Sequence, residues 1–310
     1  MSGKSGKQLL AVTGLTGKSG IAFARLLAES PLTERYDVRA CVRPSSKTEI
    51  LRSVLPQSEL CVGDLEDLTY LQELTRGVDV LFHIAGIGKS VPLVKAALEN
   101  GVRRLVLVHT TGIYSKYKAA GEHYREIDKE VTDLCGSSGA GLTILRPTMI
   151  YGTLGDQNIV KFIKMVDKLS PMPVVNHADY LLQPVHAEDL GQAYYGVLSH
   201  LDGTAGKNYI LSGRDPVKLI DLLRIIADEL GVKRRFISVP FPLAYTGAWG
   251  LYLVSLTKVD MREKVQRLCE SRAYPHEEAV RDFGYAPMPF EEGLRREVRE
   301  YLRQKKGQEA

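Results

Sequence analysis

Residues 8–20 read QLLAVTGLTGKSG, and this stretch decides the fold. An apolar run at 9–12 predicts a buried strand, and residues 21–29 (IAFARLLAE) have the periodicity of a helix. Between them Gly14 permits a tight turn, Gly17 lets a pyrophosphate approach the backbone, and Gly20 lets the helix pack close to the strand. The free N–H groups and the dipole of the helix N-terminus favour phosphate. We therefore predict a dinucleotide-phosphate site at Gly14, Thr16, Gly17, Lys18, Ser19 and Gly20.

The same alternation of apolar strand and helix continues to about residue 150. Further strands are predicted at 36–43, 59–65, 78–86, 103–112 and 142–152. Because these strands are apolar throughout, they predict a parallel sheet covered by helices on both faces. The predicted fold class is α/β, a doubly wound parallel sheet of the Rossmann type with a smaller C-terminal substrate lobe. We expect residues 8–152 to form the dinucleotide-binding domain, with 184–200 returning to it, and 153–183 and 203–303 to form the substrate lobe.

Composition excludes several classes of protein. The 310 residues are 44% hydrophobic and 25% charged, with a net charge of +4, which is ordinary for a soluble globular chain. That mild charge does not predict a nucleic-acid partner. The four cysteines lack the paired spacing of a disulfide scaffold or zinc site, so we expect free thiols and a cytoplasmic location. We also expect the partner to be a small-molecule substrate. The spacing of the histidines predicts no metal site.

One apolar segment tests this interpretation. Residues 239–256 (VPFPLAYTGAWGLYLVSL) carry no charge, and basic residues flank them. Prolines and glycines argue against a membrane span, so we expect a buried or substrate-lining helix, with contact at a membrane surface as the alternative. The sequence is also compatible with a homodimer, which is common among soluble proteins.

The end of the second strand predicts which nicotinamide cofactor binds. A carboxylate there would accept hydrogen bonds from the adenosine ribose and favour NAD. Here the strand ends CVRPSSK (41–47), and no carboxylate is present. Arg43 can pair with a 2′-phosphate instead, which favours NADP(H) over NAD(H). Lys18 and Ser19 do not form a nucleoside-triphosphate loop, because two residues rather than four or more separate the preceding glycines.

At this point the chain resembles a known family. The loop at 13–20 is followed in order by GDL (63–65), HIAG (83–86), RPTMIYG (146–152) and PVHAED (184–189). Together they resemble the extended or atypical short-chain dehydrogenase/reductases, the NAD-dependent epimerase/dehydratase group, over about residues 8–303. The resemblance implies cofactor contacts at Asp64, Leu65, Ala85, Gly86 and Pro147, and a C-terminal lobe that binds substrate, often a nucleotide sugar.

The resemblance also implies catalytic residues. The family uses a Tyr, a Lys four residues later on one helix face, and a Ser or Thr from the end of the fifth strand. Tyr114, Lys118 and Thr110 fit those positions, with Lys118 also holding the cofactor, whereas Tyr117 has Gly121 at that offset. Tyr114 would transfer the proton, Lys118 would lower its pKa, and Thr110 would orient the reacting oxygen. Thr111 and Gly112 replace the Asp-Glu pair of sugar dehydratases, so dehydration by that mechanism is not expected.

Two functions remain open at the level of sequence. In the first, the protein is an NADP(H)-dependent oxidoreductase or epimerase that moves a hydride between nicotinamide C4 and a carbinol or carbonyl carbon. In the second, Tyr114 corresponds to a non-catalytic Tyr of the family, because the loop that precedes the catalytic one is missing here. The protein is then a catalytically silent NADP(H)-binding regulatory or assembly protein.

Overall fold

A computed structural model describes residues 6–117, 119, 121–156, 158–255, 257–258 and 260–309. The strands are β1 Gln8–Thr13, β2 Tyr36–Val42, β3 Glu59–Val62, β4 Val80–His83, β5 Arg104–Val108, β6 Gly141–Pro147, β7 Ile150–Tyr151, β8 Met172–Val175, β9 Leu181–Leu182, β10 Val185–His186, β11 Asn208–Leu211, β12 Val217–Lys218 and β13 Phe236–Val239. The helices are α1 Lys18–Ala28, α2 Leu32–Arg35, α3 Glu49–Val54, α4 Leu68–Thr75, α5 Ser90–Glu99, α6 Gly121–Ser138, α7 Ile159–Lys168, α8 Ala187–Ser199, α9 Leu201–Thr204, α10 Leu219–Glu229, α11 Phe241–Val254, α12 Arg262–Leu268, α13 Glu277–Phe283 and α14 Phe290–Glu309.

Seven strands form one parallel sheet in the order β11-β6-β5-β4-β1-β2-β3. The order reverses between β1 and β4, because the chain winds outward from β1 in one direction and from β4 in the other. A crevice opens at such a point, outside the carboxyl ends of the strands. The predicted Rossmann-type sheet is confirmed.

Apolar side chains cover both faces of the sheet. On one face Phe23, Phe82 and Tyr194 pack ring against ring, with centroids 5.2–6.1 Å apart. On the other face a second cluster includes Leu71 and Leu93 from α4 and α5. Burial on both faces explains why the sequence of these strands is continuously apolar.

A third apolar cluster forms the smaller C-terminal lobe, where α7, α10 and α14 pack together. The division expected at residue 203 differs from the observed arrangement in one respect. Strand β11 pairs with β6 at the edge of the main sheet, and Phe283 of α13 packs on Tyr209 of that strand with centroids 5.0 Å apart. These segments therefore belong with the sheet, because the edge strand and its covering helix come from the C-terminal half.

Helix α11, which lies in the apolar segment 239–256, is not buried as expected. Ala248 is its one buried residue, whereas Val254 is 84% exposed and Leu243 and Leu253 are also exposed. The helix packs against α12, whose Arg262 guanidinium lies 4.2 Å from the Trp249 ring centroid and 4.0 Å from that of Tyr252. No helix in the described part of the chain is long and apolar enough to cross a membrane.

Candidate cofactor and substrate site

A cleft of about 600 Å³ opens at the carboxyl ends of β1, β2, β3 and β4, at the reversal of strand order. Many of the predicted cofactor residues meet there, although they come from four separate loops. The lining includes Gly14, Thr16, Gly17, Ser19, Arg43, Asp64, Leu65, Ala85 and Gly86. The volume lies within the range of ligand pockets, about 300–1,000 Å³.

The glycine loop has the geometry that its spacing predicts. Gly14 has φ +81°, in the left-handed region, and a Cβ there would stand 3.0 Å from the Ala85 nitrogen. A Cβ on Gly20 would stand 2.2 Å from the Gly14 carbonyl oxygen, so α1 packs directly on the loop. Gly17 precedes the helix, and no side chain caps the first turn. The N–H groups at this end can therefore bind phosphate.

A buried hydrogen-bond network joins this loop to the end of β4. The Thr13 hydroxyl oxygen accepts from the Ile84 and Ala85 N–H groups at 3.1 and 3.2 Å, and it lies 2.7 Å from His83 Nδ1. His83 Nε2 lies 3.0 Å from the Gly86 carbonyl oxygen. With two acceptor positions used, the hydroxyl donates to Nδ1 and Nε2–H donates to Gly86. Burial, with a smaller effect of nearby His109, lowers the pKa of His83 to about 4, which agrees with a neutral ring.

The end of the cleft beside β2 carries an exposed arginine. Arg43 follows β2, and its turn is closed by hydrogen bonds with Ser46: the Arg43 N–H donates to Ser46 Oγ at 3.0 Å, and the Ser46 N–H donates to the Arg43 carbonyl at 2.9 Å. Arg43 has no ion pair within the described residues. Across the cleft, Lys89 and Glu66 form an ion pair.

The remaining predicted cofactor residues lie apart from the lining. Gly20 packs behind the loop, and Lys18 lines a neighbouring cavity with Asp156. The Pro147 carbonyl accepts a hydrogen bond from the Thr111 hydroxyl at 3.1 Å. Lys118 lies outside the described residues, so its predicted role stays a prediction. The lining also holds residues that the sequence analysis missed, namely Cys41, Ser46, Glu66, Ile84 and Lys89. Their position one to three residues from the predicted ones was the available signal.

A second cavity, of about 280 Å³, opens beside the end of β5. Residues from both halves of the chain line it: Thr110, Thr111, Gly112, Ser115, Thr148, Met149, Ile150, Asn158, Leu182, Gln183, Arg267, Arg272 and Tyr274. Strand β5 neighbours β4, which leads into Ala85 and Gly86 of the cofactor cleft. Of the two predicted catalytic residues that the structure describes, Thr110 lines this cavity and Tyr114 does not.

The Thr110 hydroxyl is oriented by its own backbone. Its oxygen accepts from the Gly112 N–H at 3.0 Å, so its O–H remains available to donate. Tyr114 lies in the 3₁₀ turn Thr111–Tyr114 rather than on the following helix, which begins at Gly121. Its side chain is 48% exposed, does not line the cavity as described, and packs on Tyr274 with ring centroids 5.6 Å apart. Tyr114 is therefore not part of the long helix that was expected to follow β5, because a 3₁₀ turn precedes that helix, and its spacing to Lys118 stays a prediction.

Two arginines in the second cavity were not found from sequence. Arg267 comes from α12 and Arg272 from the loop after it, and the Nε atoms of both are buried without a hydrogen-bond partner among the described atoms. In the sequence they resemble any arginine of a solvent-facing helix or loop. Nothing local along the chain distinguishes them.

Behind β5 lies a buried polar chain. Ser90 Oγ is 3.0 Å from His109 Nε2, His109 Nδ1 pairs with Asp128, and Asp128 pairs with Arg146. Ser90 is fully buried and lines neither of the two cavities, so this series of residues holds α5, β5, α6 and β6 together. Within the described residues no group of three or more His, Cys, Asp or Glu side chains is arranged to hold a metal ion.

Comparison with known proteins agrees with this geometry. The sequence pattern of the family described as NAD(P)H-binding matches residues 14–172, about half of the chain. The chain is 22% identical over 296 residues to 3beta-hydroxysteroid-dehydrogenase/decarboxylase isoform 2 of Arabidopsis thaliana, a match that covers 76% of this chain and 50% of that protein. It is 23% identical over 277 residues to 2-alkyl-3-oxoalkanoate reductase of Stenotrophomonas maltophilia, covering 76% of this chain and 84% of that protein.

A solved structure shares the whole fold. The dTDP-glucose 4,6-dehydratase DesIV of Streptomyces venezuelae, solved with NAD, superposes with a TM-score of 0.72 at 20% identity, and the match covers 96% of this chain and 98% of that one. The family pattern begins at Gly14 and includes the nicotinamide-cofactor loops described above. The chain therefore belongs to the NAD(P)H-binding family, and its curated relatives are named as dehydrogenases and reductases.

Proposed function

We propose that the protein is an NADP(H)-dependent oxidoreductase that moves a hydride between nicotinamide C4 and a carbinol or carbonyl carbon of a small-molecule substrate. The observation that carries this proposal is the second cavity beside the cofactor cleft, where the Thr110 hydroxyl keeps a free O–H. The names of the relatives, a steroid dehydrogenase/decarboxylase and an oxoalkanoate reductase, support the same reaction class.

The proposal assigns a role to the cofactor and to each residue of the site. The cofactor, when bound, supplies or accepts the hydride. The loop at Gly14, Gly17 and Ser19 binds its phosphates, Thr110 donates a hydrogen bond to the reacting oxygen, and Tyr114 transfers the proton. Lys118 would lower the pKa of Tyr114 and hold the ribose.

The volume of the second cavity bears on the substrate. At about 280 Å³ it is just below the range of about 300–1,000 Å³ for drug-sized ligands. This supports a small oxo or hydroxy compound better than the nucleotide sugar that the family resemblance implied. Epimerisation needs the same hydride step and stays within the proposal.

Preference for NADP(H) rests on Arg43, and it can be tested directly. The expected result is tighter binding of NADPH than NADH by the wild type, and loss of about tenfold or more of that preference in Arg43→Ala, because a charge-assisted pair with the 2′-phosphate is lost. The measurement is the Kd for each cofactor by fluorescence titration. Arg52→Ala is the matched control, since Arg52 is an exposed arginine of α3 outside the cleft. Equal affinity for both cofactors in wild type and Arg43→Ala would contradict the proposal.

The second candidate function is a silent NADP(H)-binding regulatory or assembly protein. It is favoured by one observation: Tyr114 packs on Tyr274 and does not line the second cavity as described. This candidate predicts cofactor binding without turnover.

The free thiols and helix α11 bear on the location and the partners of the protein. A cytoplasmic location is supported by the free thiols of Cys41, Cys61, Cys135 and Cys269. The exposed apolar helix α11 supports contact of residues 239–256 with a membrane surface or a homodimer interface, since a patch of this kind is usually covered by a partner.

A further inference from the structure

The second cavity contains two arginine side chains that are only partly paired within the described part of the chain. The Nε atoms of Arg267 and Arg272 are both buried and lack a hydrogen-bond acceptor among the described residues. Arg272 is held by its backbone, whose N–H donates to the Leu181 carbonyl at 2.7 Å, and its guanidinium has no ion pair with any described residue. Arg267 is 3.8 Å from Glu263, which is long for an ion pair.

The acid nearest in sequence to both arginines is already engaged. Glu270 lies between them along the chain, and its two carboxylate oxygens accept from Ser115 Oγ at 2.7 Å and from the Lys116 N–H at 2.8 Å. Burial lowers the pKa of Arg272 to about 10, repulsion by Arg267 adds to this effect, and attraction to the Glu270 carboxylate opposes it without cancelling it. Two close cations in a partly dehydrated cavity destabilise the empty site, and an anion placed between them would relieve that cost.

The neutral polar side chains of the cavity are largely used within the protein. Gln183 donates from its amide to the Gly213 carbonyl at 2.7 Å, and its amide oxygen accepts from the Tyr274 N–H at 2.9 Å. The Thr148 hydroxyl donates to the Gln183 carbonyl at 2.5 Å. The two guanidinium groups, the Thr110 hydroxyl and the Tyr274 hydroxyl are therefore the principal donors left for a ligand among the described residues.

We propose that Arg267 and Arg272 bind an anionic group of the substrate, a carboxylate or phosphate that lies a few bonds from the carbon that is reduced or oxidised. The inference rests on the proposed function, because it names the substrate class of the same site. It follows from one small cavity holding both the Thr110 hydroxyl and the two guanidinium groups. When the oxo group of a substrate faces Thr110, a carboxylate or phosphate a few bonds away lies beside the two arginines. Guanidinium groups are well suited to bind such oxyanions.

The first measurement is binding, which does not depend on turnover. Isothermal titration with inorganic phosphate and with acetoacetate, in the presence of NADP⁺, which cannot reduce an oxo compound, is expected to give saturable binding to the wild type. Affinity is expected to fall about tenfold or more in Arg272→Gln and Arg267→Gln, and to recover in part in Arg272→Lys, which keeps the charge without the planar fork. Arg299→Gln is the control, since Arg299 is exposed on α14 and away from the cavity.

Thermal unfolding separates loss of the site from loss of the fold. Arg272→Gln removes an uncompensated cation, so its Tm without ligand is expected to equal or exceed that of the wild type. With NADP⁺ bound at the glycine loop, phosphate is expected to raise the Tm of the wild type and of Arg299→Gln, but not that of Arg272→Gln. The same affinity in wild type and both Gln variants would overturn the inference.

Turnover distinguishes failure of the inference from failure of the proposed function. With NADPH, kcat/KM for 2-oxo and 3-oxo acids and for phosphate-bearing ketones is compared with that for the neutral methyl esters or unphosphorylated ketones. We expect kcat/KM for at least one set of anionic compounds to exceed that for its neutral counterparts about tenfold. The preferred set shows whether the anion is a carboxylate or a phosphate. Equal turnover of anionic and neutral compounds overturns the anion site and leaves the reductase standing. Arginine-dependent anion binding without turnover of any compound supports the anion site and contradicts the reductase.

Discussion

Tyr114 and Thr110 are four residues apart, yet the structure gives them different surroundings. Thr110 lines the second cavity with its hydroxyl fixed by the Gly112 N–H, whereas Tyr114 is half-exposed in the 3₁₀ turn and packs on Tyr274. A proton donor must come within hydrogen-bond reach of the reacting oxygen, and such contacts often tighten only when ligands bind. The role of Tyr114 is therefore decided by kinetics.

We expect Tyr114→Phe to lower kcat by about 10²–10⁴-fold, the usual contribution of general acid–base catalysis, with an unchanged Kd for NADPH. Tyr117→Phe is the matched control, because Tyr117 is a similarly exposed tyrosine nearby. Steady-state turnover of an oxo substrate measures the effect. Full activity in Tyr114→Phe would rule out this tyrosine as the acid.

At the scale of elements, the contact between α1 and the glycine loop holds the phosphate-binding end of the cleft in place. Gly20 allows this contact, because a Cβ there would overlap the Gly14 carbonyl oxygen. Gly136, in α6, has no atom within 4 Å of the equivalent position. Substitution by alanine is therefore expected to change the free energy of unfolding in opposite directions at these two helical glycines.

We expect Gly20→Ala to lower the free energy of unfolding by about 1–3 kcal/mol, as overpacking does, and to weaken NADPH binding because the loop must shift. Gly136→Ala is expected to raise stability by about 0.5–1 kcal/mol, since alanine favours the helix, and to leave NADPH binding unchanged. Urea unfolding and cofactor titration measure both effects. A Gly20→Ala variant as stable as the wild type would contradict the observed packing.

At the scale of the whole molecule, α14 closes the C-terminal lobe against the segment that leaves the sheet. Glu297 is 1% exposed, and its Oε2 accepts from the Gly152 N–H at 2.9 Å. Burial, and next the neighbouring Asp156, raise the pKa of Glu297 to about 9. The same segment approaches the cofactor loop, since Lys18 lines a cavity with Gly155 and Asp156.

This carboxyl makes stability depend on pH. Glu297 is protonated in the folded protein up to about pH 9 but ionises near pH 4.5 when unfolded, so the folded state binds more protons between those values. Its contribution to stability therefore falls as pH rises through that window, by at most about 1.4 kcal/mol per pH unit.

We expect Glu297→Gln, which imitates the protonated carboxyl, to match the wild type at pH 5 and to exceed its free energy of unfolding at pH 8. Glu49→Gln, at an exposed position of α3, is expected to show the same pH dependence as the wild type. Urea unfolding at several pH values measures the difference. A constant difference between wild type and Glu297→Gln from pH 5 to 8 would show that this carboxyl does not titrate as expected.

The sequence alone determined the sheet, the glycine loop and the cofactor class, because strand periodicity and a strand–glycine–helix junction are local patterns. Only the tertiary structure decided what surrounds the reacting group. Arg267 and Arg272 reach Thr110 from more than 150 residues away along the chain, and the 3₁₀ turn at Tyr114 replaced an expected helix. Likewise α11 was expected to be a buried helix but is exposed, since among the described residues it packs extensively against α12 alone. Whether a side chain is buried, and which groups it pairs with, depends on how the elements pack together. The residue order within one helix or strand does not determine either property.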